Sequence, residues 1–162
     1  MLEIERKFLV PGDGWRAPWK VAGSHKDEIV QGYLRSHAGC KGIRVRVASD
    51  NKGFLTLKGP RQGMVCEEDE TEIPVAMAKA LLCSAEALIE KTRHYIPQDD
   101  VTWEVDVFSG PLLGLVIAEV ELPSVDHKIV LPPWLGREVT GRKKYSNRKL
   151  AYATNRASCQ YI

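Results

Sequence analysis

Apolar and polar side chains alternate with a period of two along most of the chain, the pattern of strands that bury one face. The alternation predicts eight strands, at Leu2–Leu9, Ile29–Arg35, Gly42–Val47, Phe54–Lys58, Cys66–Ile73, Ile89–Tyr95, Thr102–Phe108 and Leu115–Leu122. Turn-forming runs separate several of them, at Ser49–Gly53, Gly59–Gly63 and Pro97–Asp100, and connections this short favour antiparallel neighbours. One stretch breaks the period. After Pro74, which suits a first helical turn, Val75, Leu81, Leu82, Ala85 and Leu88 fall mostly along one side of a helix that is expected to cover a sheet face. From Pro132 to Ile162 a Pro-Pro-Trp run gives way to mixed polar and small residues, compatible with short helices packed outside. The class is α+β, mainly β.

The polar faces are unusual in what they carry. Side chains two apart share a face, so Glu3, Glu5 and Lys7 line up on the first strand and Arg44 with Arg46 on the third. Lys58 stands with Thr56. Glu68, Glu70 and Glu72 share a face, as do Lys91 with Arg93, Glu104 with Asp106, and Glu119 with Glu121. Like charges two apart repel, and removing them from water costs several kcal/mol per ion unless partners neutralise them. A solvated outer face explains any one such pair, but it gives little reason for acids and bases to be sorted onto separate strands. Carboxylate clusters are ligands for hard divalent cations such as Mg²⁺ or Mn²⁺. Arg and Lys clusters are the usual partners of phosphate oxygens. One cavity containing both suits a polyanion that arrives bridged to metal ions.

Size and charge narrow the field. The 162 residues, 44% hydrophobic, fit one globular domain, 1–162. A net charge of +2 does not announce a nucleic-acid binder, and no nucleic-acid partner is expected. Cys40, Cys66, Cys83 and Cys159 are widely spaced, with no zinc pattern, and read as reduced thiols of a cytoplasmic protein. The start of the chain shows no signal-peptide pattern, and the longest uncharged stretch, Val107–Ala118, is too short and too interrupted to span a bilayer, so no membrane partner is expected. His25, His37, His94 and His127 lack ligand spacing; Trp15, Trp19, Trp103 and Trp134 read as core or loop anchors.

The opening Leu2-Glu3-Ile4-Glu5-Arg6-Lys7-Phe8 resembles the ExExK signature of the CYTH superfamily, the triphosphate tunnel metalloenzymes. Further segments match in order, among them Gln31-Gly32-Tyr33-Leu34, Arg44-Val45-Arg46, Leu55-Thr56-Leu57-Lys58-Gly59, Glu70-Thr71-Glu72-Ile73-Pro74, Glu90-Lys91-Thr92-Arg93 and Ala118-Glu119-Val120-Glu121. The resemblance implies a closed eight-stranded antiparallel β-barrel, a tunnel with a charged interior and with helices packed outside. Periodicity alone does not say which face points inward; the resemblance does. It further implies metal-dependent hydrolysis of inorganic triphosphate to diphosphate and phosphate. Alternatives on the same fold are a nucleoside triphosphatase or a class IV adenylate cyclase, and outside catalysis a polyphosphate- or RNA-binding module. Carried over, Glu3, Glu5, Glu119 and Glu121 would be ligands of Mg²⁺ or Mn²⁺, with Glu70 assisting. Lys7, Arg44, Arg46, Lys58 and Arg93 would hold phosphate oxygens. Lys144 occupies a place where the family commonly has a base, and Cys66 one where it often has Arg; either another base such as Arg61 or Lys91, the latter also a candidate for binding substrate, compensates there, or the grip on substrate at that end is weaker. Glu5, Lys7 and Glu119 would be the catalytic residues. A homodimer is a family-level expectation.

Overall fold

The computed structural model describes residues 1–17, 20–37 and 41–154; Trp19, Cys40 and Cys159 lie outside the described residues. Eight strands form: β1 (Leu2–Leu9), β2 (His25–Leu34), β3 (Gly42–Ala48), β4 (Gly53–Gln62), β5 (Val65–Ile73), β6 (Ala87–Gln98), β7 (Val101–Phe108) and β8 (Val116–Glu121). They close into one barrel in the order β1-β5-β4-β3-β2-β6-β7-β8, and every pairing is antiparallel. Closure leaves the sheet without a free edge.

Several boundaries differ from the sequence pattern, among them β6, which runs through Pro97 and Gln98 of the expected turn to pair with Thr102 and Val101; three others show why. Gly59–Gly63 is expected as a turn, yet β4 continues through Gly59 and Pro60 to Gln62, because the ladder shifts register between Lys58 and Arg61. A bulge is where a strand tolerates proline. The helix α1 (Val75–Cys83) stops short of Ala85 and Leu88: the Ser84 N–H bonds back to Leu81 O, and Glu86 N–H then pairs with Tyr33 O as the chain enters β6. Ala85 and Leu88 still reach the cluster that α1 builds over β2 and β3, with Val45, Ala78 and Leu82. Finally, β2 begins at His25, paired with Tyr95 of the long β6.

Apolar packing lies mainly outside the barrel. Phe8, Trp103, Val105, Val120 and neighbours face outward under Trp15, Trp134 and Leu135, forming one cluster that includes two fully buried tryptophans. The third cluster is different. Ile89, Phe108 and Ile117 share their strand faces with the charged residues Lys91, Asp106 and Glu119, and they meet Leu150 and Ala151 of the short helix α2 (Asn147–Ala153). The interior is therefore charged over part of its length and carries an apolar layer under α2 on the side of β6, β7 and β8.

The run 136–140 completes the wall beside β1. Gly136 N–H bonds to Leu9 O, Leu9 N–H to Arg137 O and Val139 N–H to Lys7 O, with an antiparallel bridge between Phe8 and Glu138. Arg6 locks this run from outside, its Nε and Nη2 donating to the Glu138 carboxylate at 2.9 and 2.8 Å.

Gly32 permits the close approach of the α1 layer to β2. A Cβ there would lie 2.7 Å from Ala85 Cβ and 2.8 Å from a Leu88 methyl. Overpacking of this kind costs about 1–3 kcal/mol. Gly32→Ala is expected to lower the melting temperature by roughly 2–12 °C, at about 2–4 °C per kcal/mol for a chain of this size; an unchanged melting curve would show that the layer shifts freely.

Candidate active site

The barrel encloses a cavity of about 640 Å³ lined by Glu3, Glu5, Lys7, Arg44, Arg46, Lys58, Arg61, Arg93, Glu119 and Glu121, among others. Strand register explains the convergence. Glu5 stands opposite Glu121 and Lys7 opposite Glu119 on β8, Gln31 and Tyr33 opposite Arg46 and Arg44 on β3, and Lys58 opposite Glu68 on β5. Side chains facing each other across adjacent strands lie close enough to pair, so acids and bases sorted onto different strands neutralise one another once the sheet closes.

The pairs form three groups. Near one rim, Lys58 Nζ contacts Glu3 at 2.7 Å, and Arg61 Nη2 contacts Glu3 at 3.1 Å and Glu5 at 2.8 Å. Along β3 to β5, Arg44 binds Glu68 at 2.8 Å and Glu70 at 3.1 Å, while Arg46 binds Glu70 at 2.9 Å. Deeper, Lys7 Nζ contacts Glu119 at 2.7 Å and Glu5 at 3.6 Å. Arg93 is the hub of the deep group: Nε donates to Asp106 Oδ1 at 2.7 Å, Nη2 donates to Asp106 Oδ2 at 2.8 Å and to Glu119 at 3.3 Å, and Nη1 donates to Glu104.

Burial and charge pull the ionisations in opposite directions. For Glu119 burial opposes the charged form, but Lys7, Arg93 and Lys91 overcome it and hold the carboxyl well below its usual range. Glu3 goes the other way: burial, reinforced by the Glu5 carboxylate, raises it to about 7 despite Lys58. Burial likewise raises Glu104 against the pull of Arg93. Lys91 falls to about 8 through burial and the Arg93 charge, with Asp106 opposing. Tyr33, whose hydroxyl accepts from Gln31 at 2.8 Å, is pushed up to about 12 by burial and stays a neutral phenol.

Ten of the twelve sequence-derived positions stand together as cavity wall or as direct partners of it. Glu70 reaches the group through Arg44 and Arg46 and is not itself lining. Lys91 lies behind the wall, its ammonium fully buried against Asp106 and over the Phe108 ring. Lys144 is exposed and lies over Tyr145, 4.9 Å from the ring centroid. The C-terminal bases that line the cavity are Arg142, Lys143 and Arg148. They follow the 136–140 run, Lys143 in a 3-10 turn and Arg148 on α2, in a segment that no strand periodicity marks. Arg61 lines the cavity because the bulge at Gly59-Pro60 re-aims the strand, while Cys66 opposite is a buried free thiol donating to Gly59 O at 3.3 Å. Glu104 and Asp106 are visible in the sequence as an acid pair, but their partner Arg93 is assigned only by the fold.

The donor set fits a hard divalent cation, since Glu3, Glu5, Glu119 and Glu121 offer only oxygen. As they stand Glu3, Glu5 and Glu119 are turned onto bases, and among the described residues no three acidic, His or Cys side chains are grouped closely enough to hold an ion. Among the described residues no helix is long and apolar enough to cross a membrane.

Comparison with known proteins agrees with the geometry. The CYTH domain family model matches residues 1–151. An inorganic triphosphatase of Acetivibrio thermocellus is 43% identical over 150 residues, covering 91% of this chain and 92% of that protein. One from Nitrosomonas europaea is 37% identical over 156 residues, covering 93% and 97%. The crystal structure of the inorganic triphosphatase NE1496 superposes with a TM-score of 0.64 at 35% identity, covering 92% of this chain and 93% of the other.

Proposed function

The chain belongs to the CYTH family, and on that premise we propose that it hydrolyses inorganic triphosphate to diphosphate and phosphate with the help of Mg²⁺ or Mn²⁺. The observation that carries this reading is the convergence of Lys7, Arg44, Arg46, Lys58 and Arg93 with Glu3, Glu5, Glu119 and Glu121 in one cavity. Bases alone would suit any anion. The acids favour an anion that brings divalent cations with it, because once its bases turn to phosphate a bare carboxylate repels that phosphate.

In this reading Glu3, Glu5, Glu119 and Glu121 would hold the metal, and Glu70 acts through the arginines it already binds. A divalent ion supplies charge neutralisation at phosphate oxygens and lowers the pKa of water. Arg44 and Arg46 offer planar forks for phosphate oxygens, and Lys58 and Lys7 offer point charges. In the reaction a water oxygen forms a bond to the terminal phosphorus, the bridging P–O bond breaks, and its electron pair leaves with diphosphate. The proton lost by water ends on phosphate or solvent. Positive side chains fixed beforehand around the leaving oxygens stabilise the charge that builds there.

A phosphate-release assay over triphosphate, diphosphate, ATP and thiamine triphosphate, each with Mg²⁺, Mn²⁺ or EDTA, tests this. Triphosphate is expected to be turned over with metal and to be inert in EDTA. Activity surviving EDTA removes the metal from the reading, and preference for ATP replaces the substrate with a nucleotide.

A further inference from the structure

Arg61 stands apart from the other cavity bases in how it is held. Its Nη2 is shared between Glu3 at 3.1 Å and Glu5 at 2.8 Å, the two carboxylates of the opening motif, and it is the nearest cation to Glu5. Its Nη1 donates to Met64 O at 3.1 Å, and the same carbonyl accepts the Glu5 backbone N–H at 3.0 Å. One edge of the guanidinium is thus tied to the β4–β5 turn while the other edge reaches into the cavity. The side chain gets there because of the register shift between Lys58 and Arg61 and because the residue opposite, Cys66, is short and buried.

A divalent ion and this guanidinium compete for the same oxygens. Two positive charges a few ångströms apart repel by about 4 kcal/mol at 4 Å for unit charges at an effective dielectric of 20. An ion settling on Glu3 and Glu5 therefore displaces Nη2, and the tie to Met64 O keeps the freed edge inside the cavity, beside Arg44 and Lys58. A phosphate oxygen is the ligand that relieves both charges at once. We propose that Arg61 is an exchangeable counter-ion of the Glu3–Glu5 pair: it opposes binding of a bare divalent cation and passes to a phosphate oxygen when the cation arrives with triphosphate. This inference rests on the metal-dependent triphosphatase reading and deepens it, making the metal–triphosphate complex the favoured ligand over free metal.

The signs of the expected effects separate this role from a structural one. Mn²⁺ affinity is measured by calorimetry on the whole chain without phosphate, and KM for triphosphate by phosphate release. Arg61→Gln removes the competing charge, so it is expected to bind Mn²⁺ roughly tenfold more tightly, a factor equivalent to about 1.4 kcal/mol, while KM rises severalfold. Arg61→Lys keeps the charge and loses the fork, so Mn²⁺ affinity stays at the wild-type value and KM still rises; this variant decides the matter if Arg61→Gln does not fold. Arg61→Gln binding Mn²⁺ no more tightly than wild type, or either variant with unchanged KM, overturns the proposal. Wild-type chain that takes up no Mn²⁺ at all overturns the metal reading beneath it, so the two failures are distinguishable.

Discussion

Asp106→Ala is expected to lower the melting temperature by roughly 6–20 °C, the largest stability effect of any single substitution considered for this barrel. Asp106 is completely buried and accepts from Lys91 Nζ and from two nitrogens of Arg93. Removing it leaves two buried cations facing each other with only Glu104 and Glu119 to offset them. Breaking a buried ion pair from one side costs about 3–5 kcal/mol, and each kcal/mol is worth about 2–4 °C in a chain of this length. The pH dependence has a definite sign. Burial raises the Asp106 carboxyl, but Arg93 and Lys91 outweigh it and hold the folded-state pKa below the ordinary value. The stabilisation is therefore complete above the unfolded carboxylate pKa of about 3.9 and is lost as pH falls through the depressed value. In thermal unfolding followed down to about pH 2, the gap between wild type and variant should narrow as pH falls below about 4. A variant that melts within 2 °C of wild type at pH 7, well short of the drop expected from that cost, would mean that water reaches Lys91 and that the deep network is not sealed.

Glu119→Gln is expected to reduce triphosphate turnover by about 10²–10³-fold, the range found when one preorganised electrostatic group is removed. Glu119 contacts Lys7 at 2.7 Å and Arg93 at 3.3 Å, so it links the opening motif to the deep network and orients both cations. The substitution preserves shape and removes one charge. Arg93 keeps Asp106 and Glu104, so the fold survives and the loss falls on turnover. Turnover within threefold of wild type at saturating triphosphate and metal, far from the expected loss, removes Glu119 from the catalytic group.

Much of this arrangement is written locally in the sequence, and the reason is the strict period of a strand. The alternation of Leu2–Leu9 puts Glu3, Glu5 and Lys7 on one face before any fold is known, and the same holds for Arg44 with Arg46 and Glu119 with Glu121. Periodicity is silent about sign. It says which residues share a face, and only closure says that the charged face is the inside; that came from family resemblance. Pairings across the barrel were also out of reach, since Glu3 meets Lys58 55 residues away and Arg93 meets Glu119 26 residues away. Gly59-Pro60 misleads because the same two residues serve a turn and a bulge. Lys91 misleads because it shares a face with Arg93 yet stands one layer nearer the apolar residues under α2, where Ile89 and Phe108 exclude the cavity. Lys144 misleads because the tail has no period from which to read a facing direction.

The apolar layer of Ile89, Phe108 and Ile117 under α2 has a consequence for traffic. A hydrated phosphate chain would have to shed its water to pass over that packed hydrocarbon, so movement along the barrel is confined to the opposite flank, where Arg142, Lys143 and Arg148 supply a basic lining beside α2.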